Sequence, residues 1–221
     1  MSTQRVEVIP AALKIFRILQ ADIAGAHIPP GTPLRQEELA QRFGVSQIPV
    51  REALRHLVTE GLAVLLPNRG VQVSELRIDA VEELVEYRAL IEGRLMAWAL
   101  PLLADDDFDA LEAILRETEA LGPNPDSAEQ LRLNEAFHHR LYAKADKPFF
   151  LASVDSVRLN LNRYARAAWR ALERDSSAEL NHRELLKRCR TGDAADVLAF
   201  LDAHIRETGQ IIVRFLAAQP E

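Results

Sequence analysis

Cysteine is nearly absent: Cys189 stands alone among 221 residues. One thiol excludes an internal disulfide framework and fits a reducing cytosol, and it reads as a plain helix residue rather than a redox switch. Long apolar runs are missing too. None approaches the ~18 residues of a membrane span, and the N-terminus lacks the basic-then-apolar pattern of a secretory signal. A cytoplasmic location with no membrane partner is therefore expected. There is no internal repeat, no low-complexity tract, and no helical His-Glu-x-x-His that would pair two metal ligands with a general base. Cationic groups are also scarce, with 27 Lys and Arg against 33 Asp and Glu. The deficit is uneven: residues 1–75 carry 8 basic against 7 acidic residues, leaving 19 against 26 for the remainder. Any attraction to phosphate must come from local arginines in the first part rather than from a general positive field.

What is present is an ordinary globular composition, 48% hydrophobic and 27% charged, long enough for two small domains with a core each. Residues 36–57 carry the most information. Leu39, Ala40 and Phe43 put one apolar stripe on a first short helix, and Gly44 stands where its C-terminus needs a left-handed residue. Ser46 is placed to cap a second helix, whose first turn tolerates Pro49 because no helical partner awaits that N–H. Val50, Ala53, Leu54 and Leu57 share the core side of the second helix, which turns Gln47, Ile48, Arg51 and Arg55 outward. That is the layout of a helix-turn-helix, with an Arg-bearing face suited to the major groove. A helix over 11–24 precedes it. Strands at 62–66 and 71–73 follow, around Pro67-Asn68-Arg69-Gly70, as a wing whose Arg69 would enter a minor groove. The candidate contacts to double-stranded DNA are Arg35, Ser46, Gln47, Ile48, Pro49, Arg51, Arg55, Arg69 and Gly70. So little positive charge binds weakly in one copy, so a homodimer on a palindromic operator is expected.

The segments His27–Leu34, Glu38-Leu39-Ala40, Gly44-Val45-Ser46, Pro49–Leu54, Glu60-Gly61-Leu62 and Asn68-Arg69-Gly70 resemble the winged-helix domain of GntR-type bacterial transcription regulators, over roughly residues 10–75. The resemblance implies DNA contacts at Arg51 and a wing glycine at Gly70. Where that family commonly carries Arg-Thr between the Ser and the Pro, this chain has Gln47-Ile48.

From Asp79 onward apolar residues recur at helical spacing over 80–101, 108–121, 128–144, 149–172, 178–190 and 194–217, with Ser74–Asp79 as linker. Breaks fall at Asp105–Asp107, Gly122–Asp126, Asp146–Pro148, Ser176-Ser177 and Thr191–Asp193. Ser176 with Glu179 suggests a capping box, Gly192 a helix end, and Asp193 the next cap. The expected fold is mainly α: an N-terminal winged helix-turn-helix (1–75) and a C-terminal all-α antiparallel helical bundle (76–221), a scaffold that builds ligand sites between facing helices. Asn134 and His138 lie one turn apart on one helix face, and His182 and His204 sit on later helices. Three imidazoles and an oxygen suit a divalent ion such as zinc, nickel, manganese or iron, although from the residues alone hydrogen-bonded or solvated histidines are the plainer account of the pattern. His139 lies about 100° round the helix from His138 and is not expected to join them.

Asn134–His138, Asn181–Leu186 and Gly192-Asp193 followed by His204 resemble the ligand-sensing FCD domain that accompanies this winged helix. That resemblance implies metal ligation by Asn134, His138, His182 and His204, with Asn in place of the more usual Asp. It also matches Arg88–Glu92 to a recurring Arg-x-x-x-Glu. There Arg88 would hold a small organic acid effector, with Tyr87 and Arg163 as further candidates; a solvated i,i+4 ion pair is the plainer alternative. The function expected is a DNA-binding transcription regulator, acting as a repressor, that responds to a carboxylate at a metal site. The rival is a metal-dependent hydrolase built on the bundle, which would leave the winged helix unexplained. A third reading keeps the regulator and drops the metal, with the histidines lining an acid or lipid pocket.

Overall fold

The computed structural model describes residues 10–25, 27–75, 77–121, 127–171 and 177–218. It divides into two compact units, Met1–Leu76 and Arg77–Glu221. In the first, α1 (Ala11–Ala24) packs on α3 (Gln47–Thr59), and α2 (Gln36–Phe43) crosses α3. Ile15, Leu19 and Ile23 recur at helical spacing and meet Leu39, Val50, Ala53, Leu54 and Leu57, all buried. Gly44 closes α2 at φ 63°, a left-handed conformation that glycine adopts without steric cost, so the chain turns sharply into α3. Ser46 occupies the position before α3 with extended backbone, but its side chain caps nothing. The expected Ser cap is thus corrected: the position holds and the hydrogen bond does not.

Strand β1 (Ala63–Leu66) pairs antiparallel with β2 (Gly70–Val73), Ala63 opposite Val73 and Leu66 opposite Gly70. Asn68 and Gly70 supply the positive φ values of the connecting turn. A third segment lies along the far edge of β2. Leu34 N–H donates to the Val71 carbonyl at 2.7 Å, Val73 N–H to Thr32 at 2.9 Å, and Gly31 N–H to Val73 at 3.0 Å. These bonds satisfy an edge that would otherwise face solvent unpaired.

The second unit contains α4 (Ile78–Ala99), α5 (Asp105–Ala120), α6 (Ser127–Tyr142), α7 (Pro148–Ala171), α8 (Ser177–Thr191) and α9 (Ala194–Ala217), one for each periodic segment expected, with all but α9 starting one to three residues earlier than the spacing suggests. Helix α4 is central and packs on α6, α7 and α9. Its approach to α9 is close: a Cβ at Gly209 would lie 2.5 Å from a Val85 methyl. The acidic run at 105–107 is the first turn of α5 rather than a break, because Asp107 accepts from the Ala104 N–H at 3.0 Å and anchors the helix start. Asp193 accepts from the N–H groups of Ala195 and Asp196 and caps α9, directly after Gly192 has closed α8 at φ 76°. The Ser176–Glu179 box and the Gly122–Asp126 break lie outside the described residues. Cys189 is buried, and desolvation pushes its thiol up to about 12, which leaves it protonated and unreactive.

Candidate nucleic-acid interface and metal centre

The outward side of α3 carries Gln47, Ile48, Arg51 and Arg55, all exposed, while its inward side is filled by Val50, Ala53, Leu54 and Leu57. Among the described residues, no hydrogen bond or ion pair engages the side chains of Arg51, Arg55 or Arg69. Arg69 stands exposed between Asn68 and Gly70 at the tip of the wing. Pro49 is half-buried in the first turn of α3. Arg35 is exposed, and its Nη1 donates to Glu38 at 3.0 Å in a solvent-screened pair of little energetic weight.

In the second unit His138 (α6), His182 (α8) and His204 (α9) converge. One ring nitrogen from each lies within 4.8 Å of the others, and all three residues are buried. The Nε2 atoms of His138 and His182 are 3.1 Å apart. With metal–nitrogen bonds of about 2.0–2.1 Å, two ligands of one ion stand roughly 3.0–3.4 Å apart, so this spacing is already that of a coordination edge. Asn134 is half-buried one turn before His138, and its backbone carbonyl accepts from Arg158 Nη2 at 3.4 Å. His139 is exposed.

A polar layer behind His138 fixes its ring. Tyr142 donates its hydroxyl proton to Glu92 Oε2 at 2.8 Å, so its oxygen is left to accept from His138 Nδ1 at 3.2 Å. With Nδ1 carrying the proton, the lone pair of the neutral imidazole is on Nε2, aimed at the other histidines. Glu92, with no exposed surface, is in turn held by Arg88, whose Nε donates to Oε1 at 2.6 Å, and by Arg158, whose Nη1 donates to Oε2 at 3.3 Å. Desolvation pushes the Glu92 carboxyl up. The charges of Arg88 and Arg158 and the hydrogen bonds from Arg88 and Tyr142 together outweigh it, so the group lies below its ordinary value and stays ionised. Burial, with Arg158 and the other histidines adding, holds His138 well below the usual imidazole range. His204 is held down to about 4, chiefly by burial and then by Arg88. Neutral rings at physiological pH are what a metal requires of its ligands.

The three effector candidates fare differently. Arg88 is buried against Glu92, which replaces the solvated surface pair by a desolvated one; among the described residues its two terminal nitrogens have no partner. Tyr87 lies on the outside of α4, partly exposed, and its hydroxyl bonds Ser153 on α7 at 2.5 Å, so it does not join this cluster. The side chain of Arg163 lies outside the described residues. Sequence reasoning missed Tyr142 and Arg158. Tyr142 follows His138 by four residues and so shares its helix face. Arg158 falls on the apolar stripe that runs through Val154 and Leu161, where a charge demands a buried partner.

Known families match both units. The profile described as bacterial regulatory proteins, gntR family, covers residues 11–73, and that of the FCD domain covers residues 83–207. The chain belongs to the GntR family, with an FCD domain behind its DNA-binding unit. The Nta operon transcriptional regulator of Aminobacter aminovorans is 30% identical to this GntR chain over 188 residues, 84% of this chain and 89% of that protein. The HTH-type transcriptional repressor RspR of Escherichia coli (strain K12) is 25% identical over 203 residues, 92% and 89% of the two chains. The solved structure of E. coli McbR/YncC shares the fold, with a TM-score of 0.80 at 20% identity over 94% of this chain and 99% of that one. Families and relatives alike are transcription regulators, which sets the hydrolase reading aside. This GntR chain is a DNA-binding transcription regulator, mainly α, with a winged helix-turn-helix and a helical second domain. No described helix is long and apolar enough to cross a membrane.

Proposed function

We propose that this regulator represses transcription as a homodimer on a palindromic operator, and that a small organic acid bound at a divalent metal in the helical unit relieves repression. The observation that carries the reading is the convergence of His138, His182 and His204 in front of the Glu92–Arg88–Arg158 layer. The donor set fits a metal: three buried imidazoles whose ring nitrogens lie within 4.8 Å of one another, His138 and His182 already at coordination spacing, one with its tautomer fixed, and Asn134 on the same face of α6 as a fourth, oxygen ligand. Zinc, nickel, manganese and iron all accept such ligands. When bound, the ion supplies a Lewis-acid anchor for a carboxylate. Arg88, locked through Nε, keeps its terminal nitrogens for a second oxygen of the same group.

Helix α3 enters the major groove through Gln47, Ile48, Arg51 and Arg55, and Arg69 follows the adjacent minor groove. Ser46, Pro49, Gly70 and Arg35 support that contact. The effector acts only if it favours one arrangement of the two DNA-binding units over another, and α4, which begins at Ile78 and carries Arg88, is the element through which it does so. Elemental analysis of the purified protein, followed by calorimetry of organic acids against the metal-loaded and chelated forms, tests this. Acid binding that requires the metal and is lost in His204→Ala is expected. A protein that neither retains nor takes up metal overturns the site and leaves the DNA-binding function intact.

A further inference from the structure

The exposed face of α3 holds one residue that polar recognition does not explain. Ile48 is 60% exposed in the first turn, on the same line of the helix as Arg51 and Arg55. The core side of α3 is complete without it, since Val50, Ala53, Leu54 and Leu57 are at most 1% exposed. Its neighbours on that face are of another kind: Gln47 offers an amide, and Arg51 and Arg55 have no partner among the described residues. Isoleucine neither donates nor accepts a hydrogen bond, so it cannot read a base through its polar edge or hold a phosphate. Its β-branch restricts χ1, and the helix restricts it further, so the side chain is presented almost rigid, with little entropy left to lose on contact. The major-groove edge of B-DNA has one apolar feature, the 5-methyl group of thymine.

We infer that Ile48 selects a thymine in each half-site by covering its 5-methyl group. The inference rests on the proposed insertion of α3 into the major groove and adds the base that one position prefers. Exclusion of water from one methyl is worth about a fourfold change in affinity, and two half-sites double the exponent to roughly sixteenfold.

The test begins with full-length protein and a random duplex library, from which bound sequences are enriched. Each symmetry-related pair of thymines in the enriched operator is then replaced in turn by deoxyuridine, which deletes the methyl from both half-sites and leaves every hydrogen-bonding group in place. Affinities are measured at one fixed salt concentration for the wild type, Ile48→Val and Ile48→Ala. The expected result is one symmetry-related pair of thymines whose replacement weakens the wild type about sixteenfold. Ile48→Val keeps most of that dependence, and Ile48→Ala binds the two DNAs within about a factor of two. A wild type indifferent to every deoxyuridine overturns the inference. So does a methyl dependence that persists undiminished in Ile48→Ala. Failure to enrich any sequence is a different result, which overturns operator reading by α3 and the role of Ile48 with it.

Discussion

Arginine serves opposite ends in the two units. On α3 and the wing, Arg51, Arg55 and Arg69 stand in water with no protein partner among the described residues. In the helical unit, Arg88 and Arg158 are 7% and 4% exposed and clamp one fully buried carboxylate. A solvated guanidinium costs the fold nothing and keeps its whole hydrogen-bonding capacity for a ligand. A desolvated one is tolerated only with its counter-charge and becomes part of the framework. The fate of an arginine is therefore set by what surrounds it, and the two groups should respond differently to mutation.

The largest effect is expected at the buried set. Glu92→Gln leaves two guanidiniums sharing a low-dielectric site without compensation and should cost about 3–5 kcal/mol of stability, read from urea unfolding. A loss below about 1 kcal/mol would mean that water already reaches the cluster. Arg51→Ala should do the reverse: operator affinity falls by a factor equivalent to about 1–3 kcal/mol, while stability stays within about 0.5 kcal/mol of the wild type. Unchanged binding at several salt concentrations would remove Arg51 from the interface. Tyr142→Phe sharpens the comparison, because it keeps the charges and deletes only the hydroxyl that sets the His138 tautomer. Metal affinity should fall about tenfold or more, measured by competition with a chromogenic chelator; equal affinity would show that the ring needs no such support.

The smallest effect falls on an arginine pairing between these extremes. Asp107 is buried, while its partners Arg140 and Lys144 are partly exposed. The Ala104 N–H, first, and then Lys144 and Arg140 hold its carboxyl below the ordinary value against the opposing pull of burial. A depressed folded-state pKa stabilises the protein above the unfolded value of about 3.9 and ceases to do so as pH falls through the folded value. Asp107→Asn should therefore be less stable than the wild type by about 1 kcal/mol at neutral pH, read from urea unfolding, and the gap should close in acid. A gap independent of pH would make the loss one of packing alone.

What the sequence made legible was local. Gly44, Pro49 and the apolar spacing of α3 mark the two helices and their turn through interactions spanning a few residues, and Asp193 marks its own helix start in the same way. The strand-like segment at 31–34 stayed hidden because its partner, β2, lies some forty residues on and its own residues, Gly31-Thr32-Pro33-Leu34, have no alternation. Ser46 shows the limit from the other side: a residue type that favours a cap does not guarantee the hydrogen bond. In the helical unit the positions of the imidazoles on their helices could be read, but the joining of α6, α8 and α9 at one point is a property of packing. The Tyr142–Glu92 contact closes a gap of fifty residues, and no periodicity encodes it.

The tight crossing of Val85 over Gly209 reaches beyond its own neighbourhood. Val85 lies three residues before Arg88 on one rod, and Gly209 five residues after His204 on the other. The single hydrogen at position 209 acts as a shim of zero thickness. Any larger group there would wedge the rods apart and carry the Arg88 guanidinium away from the His204 imidazole, so the spacing of the histidine cluster is gauged at a point remote from the cluster itself.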